Sequence, residues 1–335
     1  MESALSSLPD VDDELAGAVL SGLARVEKRL TDTVAVSDDM MSWTSRHLMD
    51  AGGKRLRPLV VLLAASMGDI EDDAVIDAGT LVELTHLASL YHDDVMDSAP
   101  TRRGTASAHE VWGNSVAILT GDFLFARASA LSAKLGADIV ALHAHTFERL
   151  CLGQLHETVG PAEDADPFEH YLSVLSDKTA SLLSVAGEIG ALTSGAGDEV
   201  ASVMRAYGEK AGVAFQLADD VLDLRSDSQT SGKNPGTDLR EGVPTMPTLL
   251  IRRRLQENPD ARTRDIVDRL DGDLSDDDDL AALVGLLRED PSLETTLDMA
   301  HALVGEAIEI LGALPDVPAR RALIDFTRGL VDRDT

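Results

Sequence analysis

The amino-acid sequence predicts an all-α protein, a single large helical bundle, on three observations. Apolar residues recur at helical spacing along almost the whole chain, runs of alternating β-branched residues are scarce, and no Gly/Ser- or Pro-rich linker divides it. Taken in order, the periodic segments are 59–68, 76–97, 115–136, 137–157 and 210–224. Helix stops and starts separate them: Gly52-Gly53, Ser98-Ala99-Pro100, Gly160-Pro161 and Asn234-Pro235-Gly236. At 335 residues and 44% hydrophobic content the chain can bury a sizeable core. Residues 1–14 read as a flexible acidic N-terminus and 15–335 as the helical domain, with the run Asp276 to Asp279 solvated.

Charge and composition exclude several function classes. Lys+Arg 29 against Asp+Glu 59 leaves a net charge of −30, which opposes a phosphate-backbone polymer, so nucleic acid is not the expected partner. Aromatics at 3% supply neither a base-stacking platform nor an aromatic cation cage. The single cysteine, Cys151, excludes a disulfide framework and predicts a reducing, cytoplasmic setting. No uncharged run of about 18 residues occurs, so no transmembrane segment is expected.

Paired aspartates are common in so acidic a chain. Asp12-Asp13, Asp38-Asp39, Asp72-Asp73 and the Asp276 to Asp279 run read as helix N-caps or wet surface. Two pairs differ, because they continue as D-D-x-x-D and end apolar helical runs: Asp93, Asp94 and Asp97, and Asp219, Asp220 and Asp223. On a helix the first and last aspartates project from one face, one turn apart. There they repel, and beside apolar neighbours they lose hydration unless a cation compensates. Hard oxygen ligands in this number suit Mg²⁺, which keeps waters and shares its other positions with substrate phosphates. Two such units 126 positions apart predict two helices facing across one metal cluster.

Basic residues gather around these motifs. Lys54, Arg55 and Arg57 stand between Gly52-Gly53 and Pro58, a loop-to-helix junction suited to an anion. Arg102-Arg103-Gly104 follows the first motif, Lys178-Thr179 is expected to open a helix, and a Gly-rich loop with Lys233 follows the second.

In GGKRLRP, ELTHLASLYHDDVMD with SAPTRRG, GDFLFARA, GQLHE, KTASL, QLADDVLDL and GKNPGTDLREG, the chain resembles the trans-isoprenyl diphosphate synthases, or polyprenyl synthetases, over nearly its whole length. The resemblance implies an isoprenoid-synthase helical bundle with a central substrate cavity, working as a homodimer on isopentenyl diphosphate and an allylic diphosphate. It implies three Mg²⁺ ions, two on Asp93 and Asp97 and one on Asp219. Asp94, Asp220, Asp223 and Asp238 would hold metal waters or contacts behind them, with Glu157 near the first pair. It assigns Arg102, Lys178 and Lys233 to the allylic diphosphate, and Gly53, Lys54, Arg57, His86 and Arg103 to isopentenyl diphosphate. Thr179 and Gln216 would face the developing allylic cation. One departure stands out: Glu241-Gly242-Val243-Pro244-Thr245 has Val243 where the family often has Lys, a loss that Lys233 or Arg240 could offset.

In the family, product length is set by a tunnel down the helix that ends at the first motif. Four and five positions before Asp93 stand Ser89 and Ala88, with Thr85 below, so the tunnel is expected to be open at that depth, about one ~5.4 Å turn down. The expected product is a linear chain of about C30 to C50, C20 being the alternative if a floor on another helix stops growth. Release of so greasy a product would involve transient membrane contact. A class I terpene cyclase is disfavoured by the second D-D-x-x-D and the few aromatics. A di-metal bundle built on Glu83-x-x-His86 lacks a second such unit, and a structural scaffold leaves the matched motifs unexplained.

Overall fold

The computed structural model describes residues 12–225 and 235–332. In chain order the helices are α1 (Asp13–Val34), α2 (Asp39–Asp50), α3 (Leu56–Ala65) and α4 (Asp73–Met96). A short hairpin, β1 (Thr101–Arg102) and β2 (Thr105–Ala106), leads to α5 (Ala108–Trp112), α6 (Asn114–Leu135), α7 (Ala137–Val159) and α8 (Pro167–Leu175). A π-helical turn, Ser176–Ala180, joins α8 to α9 (Ser181–Thr193), and α10 (Asp198–Arg225) follows. The rest is α11 (Thr237–Arg240), α12 (Met246–Glu257), α13 (Ala261–Leu270), α14 (Asp277–Arg288), α15 (Pro291–Leu311) and α16 (Pro318–Val331).

The acidic pairs read as caps are caps. Asp12, Asp38, Asp72 and Asp276 each accept first-turn backbone N–H groups, of α1, α2, α4 and α14 respectively. Each such cap stabilises its helix by about 1 kcal/mol. Proline in the first turn of α8, α12, α15 and α16 fixes φ where no N–H partner exists.

Two local expectations change. The hairpin was not expected, since two-residue strands leave no alternating pattern; its turn residues Arg103 (φ 53) and Gly104 (φ 76) are both left-handed, the geometry of a tight primed turn. Lys178 and Thr179 do not open a helix but lie inside the π-turn, in a continuous helical run from α8 to α9.

Helix α4 is buried on nearly all sides, packed by α3, α6 and α9, and α10 runs along α9 and α15. Such an all-round apolar helix belongs in a core. Leu81, Leu84 and Leu87 on α4 are among the fully buried side chains, each worth ~1.5–3 kcal/mol in apolar burial. Smaller apolar clusters lie under α11 to α14 and among α8, α10, α12 and α15, and both use α10. Helix α6 is, among the described residues, long and apolar enough to cross a membrane by length and composition. One side of it packs on α4, while Ile118 and Leu119 are exposed, as are Leu152, Leu155 and Val159 on α7.

Candidate active site

Both D-D-x-x-D motifs occupy the C-terminal ends of long helices, Asp93 to Asp97 on α4 and Asp219 to Asp223 on α10. The macrodipole is negative there, so each carboxylate is disfavoured by ~0.3–1 kcal/mol rather than helped. Helix α4 has no basic residue in its last turn to offset this. The positions are therefore electrostatically expensive without a bound cation.

Within each motif the aspartates diverge. Asp93 is half-buried, and burial first, then the nearby Asp97 and Glu157, push its pKa up to about 6 against the pull of Lys178 and Arg102. Asp97 is exposed at the end of the helix. Asp94 instead faces inward: it is fully buried, accepts Arg102 Nε at 2.6 Å, and leaves its second oxygen buried without a partner. In the second motif Asp219 and Asp223 are half-buried, whereas Asp220 is buried. Asp220 accepts the Tyr171 hydroxyl and the Met246 backbone N–H, tying α8 and α12 to α10. Burial outweighs those bonds and lifts Asp220 to about 8. Asp238 stands close enough to Asp220 to raise it further, and the loop before α11 returns to the motif through Gly236 N–H donating to the Asp223 carbonyl at 3.1 Å.

Between the motifs lies the π-turn. It rests on α7 at three successive turns: Arg149 binds Asp177, Gly153 underlies the Lys178 backbone, and Glu157 accepts the Lys178 ammonium. On the other side α10 offers Glu209, which Ser176 and Arg149 share, then Gly212 under Ala180, then Gln216, whose carbonyl accepts Thr179 Oγ1 at 3.3 Å. A π-turn inserts one residue into a helix and turns side chains from the regular rows. Here it brings Lys178 toward Asp93 and Glu157, and Thr179 toward Gln216, one turn before Asp219. Lys233 lies outside the described residues.

A second cationic site adjoins the first motif. Arg57 and Arg103 lie near one buried carboxylate, Glu83, and His86 lies near the two arginines. Burial brings the Arg57 guanidinium down to about 10, and its Nε is buried without a partner. Burial first and then Arg57 and Arg103 hold His86 well below the usual imidazole range, so it is neutral at pH 7. Gly53 permits the approach of Arg103, whose guanidinium carbon would lie 2.9 Å from a Cβ there, and Arg103 also donates to the Leu48 and Gly52 carbonyls. Lys54 is exposed at the rim. Arg55 differs from its neighbours in being bonded to two carboxylates, Glu27 and the same Glu83, which match its charge and take Glu83 from any metal unit with His86. An excess of buried cations with an orphaned N–H suits an anion.

Below Asp93, Ala88 is buried and small and Ser89 half-buried. One turn deeper the structure qualifies the open tunnel. Thr85 Oγ1 bonds His143 Nε2 at 3.0 Å, His143 stacks on Phe125 at 5.2 Å, and Phe125 meets Phe147 at 3.8 Å. Burial lowers His143 to about 4, so the layer is uncharged. Sequence reasoning missed it, although Phe125 and Phe147 stand in the helical periodicity of α6 and α7. Val243 and Pro244 line a cavity of about 60 Å³ with Glu157, His170, Tyr171 and Leu249. Arg240, the other candidate to offset the absent lysine, pairs with Asp277 on α14.

Among the described residues no three acidic, His or Cys side chains converge tightly enough to cage a metal by themselves.

The polyprenyl synthetase family model matches residues 38–286. The nonaprenyl diphosphate synthase of Mycobacterium tuberculosis is 45% identical over 321 residues, 94% of either chain. Among solved structures, a polyprenyl synthase of Caulobacter crescentus complexed with calcium and isoprenyl diphosphate superposes with a TM-score of 0.86 at 32% identity, covering 96% of this chain and 97% of that one. A geranylgeranyl pyrophosphate synthase of Corynebacterium glutamicum, with the same ligands, gives 0.84 at 39% identity over 96% and 98%.

Proposed function

The chain belongs to the polyprenyl synthetase family and is a prenyltransferase, and from that premise we propose that it joins isopentenyl diphosphate head to tail to an allylic diphosphate, giving a linear trans-polyprenyl diphosphate of about C30 to C50. The observation that carries this is the placing of Lys178 and Thr179, on one π-turn, between the carboxylates of α4 and α7 and those of α10. Beside them lies a separate cationic site suited to a second diphosphate.

The family uses divalent ions, and we take them to be three Mg²⁺, held by Asp93, Asp97, Asp219 and Asp223 with Glu157 and Asp238 nearby. Bound there, they supply counter-charge to the departing diphosphate. This chain's own residues do the rest. Lys178 and Arg102, each now paired with a carboxylate, Glu157 and Asp94, turn to the allylic diphosphate and stabilise the charge that grows as its C–O bond breaks. Arg57, Arg103 and Lys54 fix isopentenyl diphosphate, with His86 as a neutral hydrogen-bond partner. Thr179 and Gln216 turn oxygens toward the allylic carbon, and the alkene attacks it. The alkene is the nucleophile and the proton released passes to the departing diphosphate, so neither a protein nucleophile nor a protein base is needed. Asp94 and Asp220 act from behind, one orienting Arg102 and the other holding α8 and α12 to α10.

Small Ala88 and Ser89, with a nonaprenyl synthase among the relatives, support the long product. A C20 product is the second reading, favoured by the His143 layer and the geranylgeranyl-synthase likeness. The exposed apolar faces of α6 and α7 suit a second copy of the chain, which supports a homodimer, and lone, exposed Cys151 suits a cytoplasmic enzyme that meets the membrane in passing its product on. Incubating the protein with labelled isopentenyl diphosphate, Mg²⁺ and C10, C15 or C20 primers tests the whole reading. Turnover that Asp93→Ala abolishes supports it, and no turnover with any primer rejects it.

A further inference from the structure

The π-turn carries Lys178 and Thr179, two of the residues set against the allylic substrate in this reading, yet a π-turn is a poorly favoured backbone state that needs outside support. Its support is concentrated on one side chain that reaches no substrate. Arg149, two turns before Glu157 on α7, donates Nε to Asp177 Oδ1 at 2.7 Å and Nη1 to Glu209 Oε1 at 2.5 Å. Its Nη2 donates to Ser176 Oγ at 2.9 Å, to Glu209 Oε2 at 3.1 Å and to the Ser176 carbonyl at 3.2 Å. Ser176 Oγ in turn donates to Glu209 Oε2 at 3.1 Å. One guanidinium thus bonds the side chains of the turn's first two residues, a backbone carbonyl of the turn, and α10. It is less than a quarter exposed, at 22%.

We propose that Arg149, with Glu209, is a positioning residue for this reaction, a clasp that holds the π-turn between α7 and α10 so that Lys178 and Thr179 meet the allylic diphosphate in register. The inference rests on the prenyltransferase reading of the site and adds a residue to it. A planar fork with fixed donor directions is what a three-way junction needs, and lysine, a point charge on a flexible stem, cannot reproduce it. The clasp acts on the allylic side alone, since the isopentenyl diphosphate site is built from α3, α4 and the hairpin and shares no residue with it.

The test is steady-state kinetics of Arg149→Ala and Arg149→Lys beside the wild type, with each substrate varied in turn. A misplacement of the turn by about 1 Å predicts kcat about 10²-fold lower in Arg149→Ala, with a higher KM for the allylic diphosphate. KM for isopentenyl diphosphate stays within about twofold of wild type. Added guanidinium ion restores part of the kcat of Arg149→Ala, and Arg149→Lys, which keeps the charge and most of the volume, shows the same split between substrates. Wild-type kcat and allylic KM in both variants overturn the proposal. So does a loss spread evenly over both substrates that guanidinium does not relieve, which is what general loosening of the bundle produces. If Arg149→Ala does not fold, Arg149→Lys decides by the same criteria. An inactive wild type would reject the functional reading itself, a separate result visible in the same experiment.

Discussion

Gly153→Ala should cost activity out of proportion to stability. A Cβ at Gly153 would lie 2.7 Å from the Lys178 backbone nitrogen and 3.1 Å from both the carbonyl carbon and the Cβ of Asp177. Comfortable contacts begin at about 3.5 Å, so one methyl group forces α7 and the π-turn apart by on the order of 1 Å. The obstacle is backbone, which has no rotamer in which to escape. Overpacking of this kind costs ~1–3 kcal/mol, but alanine regains ~0.8–1 kcal/mol over glycine inside a helix, leaving a net loss of about 0–2 kcal/mol. The same displacement at a reacting centre lowers kcat about 10²-fold. Thermal melting and steady-state isopentenyl diphosphate incorporation should therefore part company. Gly305→Ala is the control: it lies inside α15 with nothing within 4 Å of the added Cβ. It should raise stability by about 0.5–1 kcal/mol and leave kcat alone. A Gly153→Ala enzyme with kcat within about threefold of wild type would refute the claim that the π-turn's register governs catalysis.

Val243→Lys should put a cation into the small cavity beside Glu157 and lower the allylic diphosphate KM about tenfold, the effect of one charge-assisted hydrogen bond; an unchanged KM in primer titrations would show that the position does not face the diphosphate. Asp93, raised to about 6, must lose its proton to ligate a metal, so apparent Mg²⁺ affinity should fall about tenfold per unit below that pH, and an affinity flat down to about pH 5 counts against the assignment. The sign for the fold is opposite: a raised acid takes up its proton more readily folded than unfolded, so between the ordinary carboxylate range and pH 6 acid stabilises the metal-free chain while weakening the metal site. Ala88→Phe should shorten the product and His143→Ala lengthen it, both seen by sizing chains grown from a C15 primer; product lengths identical to wild type in both would place the tunnel elsewhere.

The helices were legible because their pattern is local. Periodicity located 76–97 and 137–157 as α4 and α7 within a few residues. Asp12, Asp38, Asp72 and Asp276 were separable from the two chemical motifs because none of them has another aspartate four positions on. What could not be read were features fixed by packing between distant segments. The sequence around Lys178 carries ordinary helical signals, and its π-turn exists because Gly153, Gly212 and Arg149, contributed by two other helices, leave room for it and hold it. Arg55 sits among residues suited to an anion, yet Glu27 and Glu83, 28 positions away in either direction, already match its charge. His143 shows no motif at all, and its role comes from the partner that α4 brings to it.

The two aspartate motifs show where that boundary runs. Spacing alone puts the first and fifth residues on one face of a helix and the second about a quarter-turn away, so the second must look toward something else. At both sites it is buried, but the partners differ. Asp94 meets an arginine of the hairpin, while Asp220 meets a phenol and a backbone N–H. Burial raises both acids, but Arg102 keeps Asp94 in contact with a full charge, whereas Asp220, lifted to about 8, has only a hydroxyl and an amide N–H to bond. One five-residue pattern thus supplies a carboxylate pair to the cleft and a buried anchor behind it, and only the anchor's surroundings decide whether it orients a cation or binds helices together.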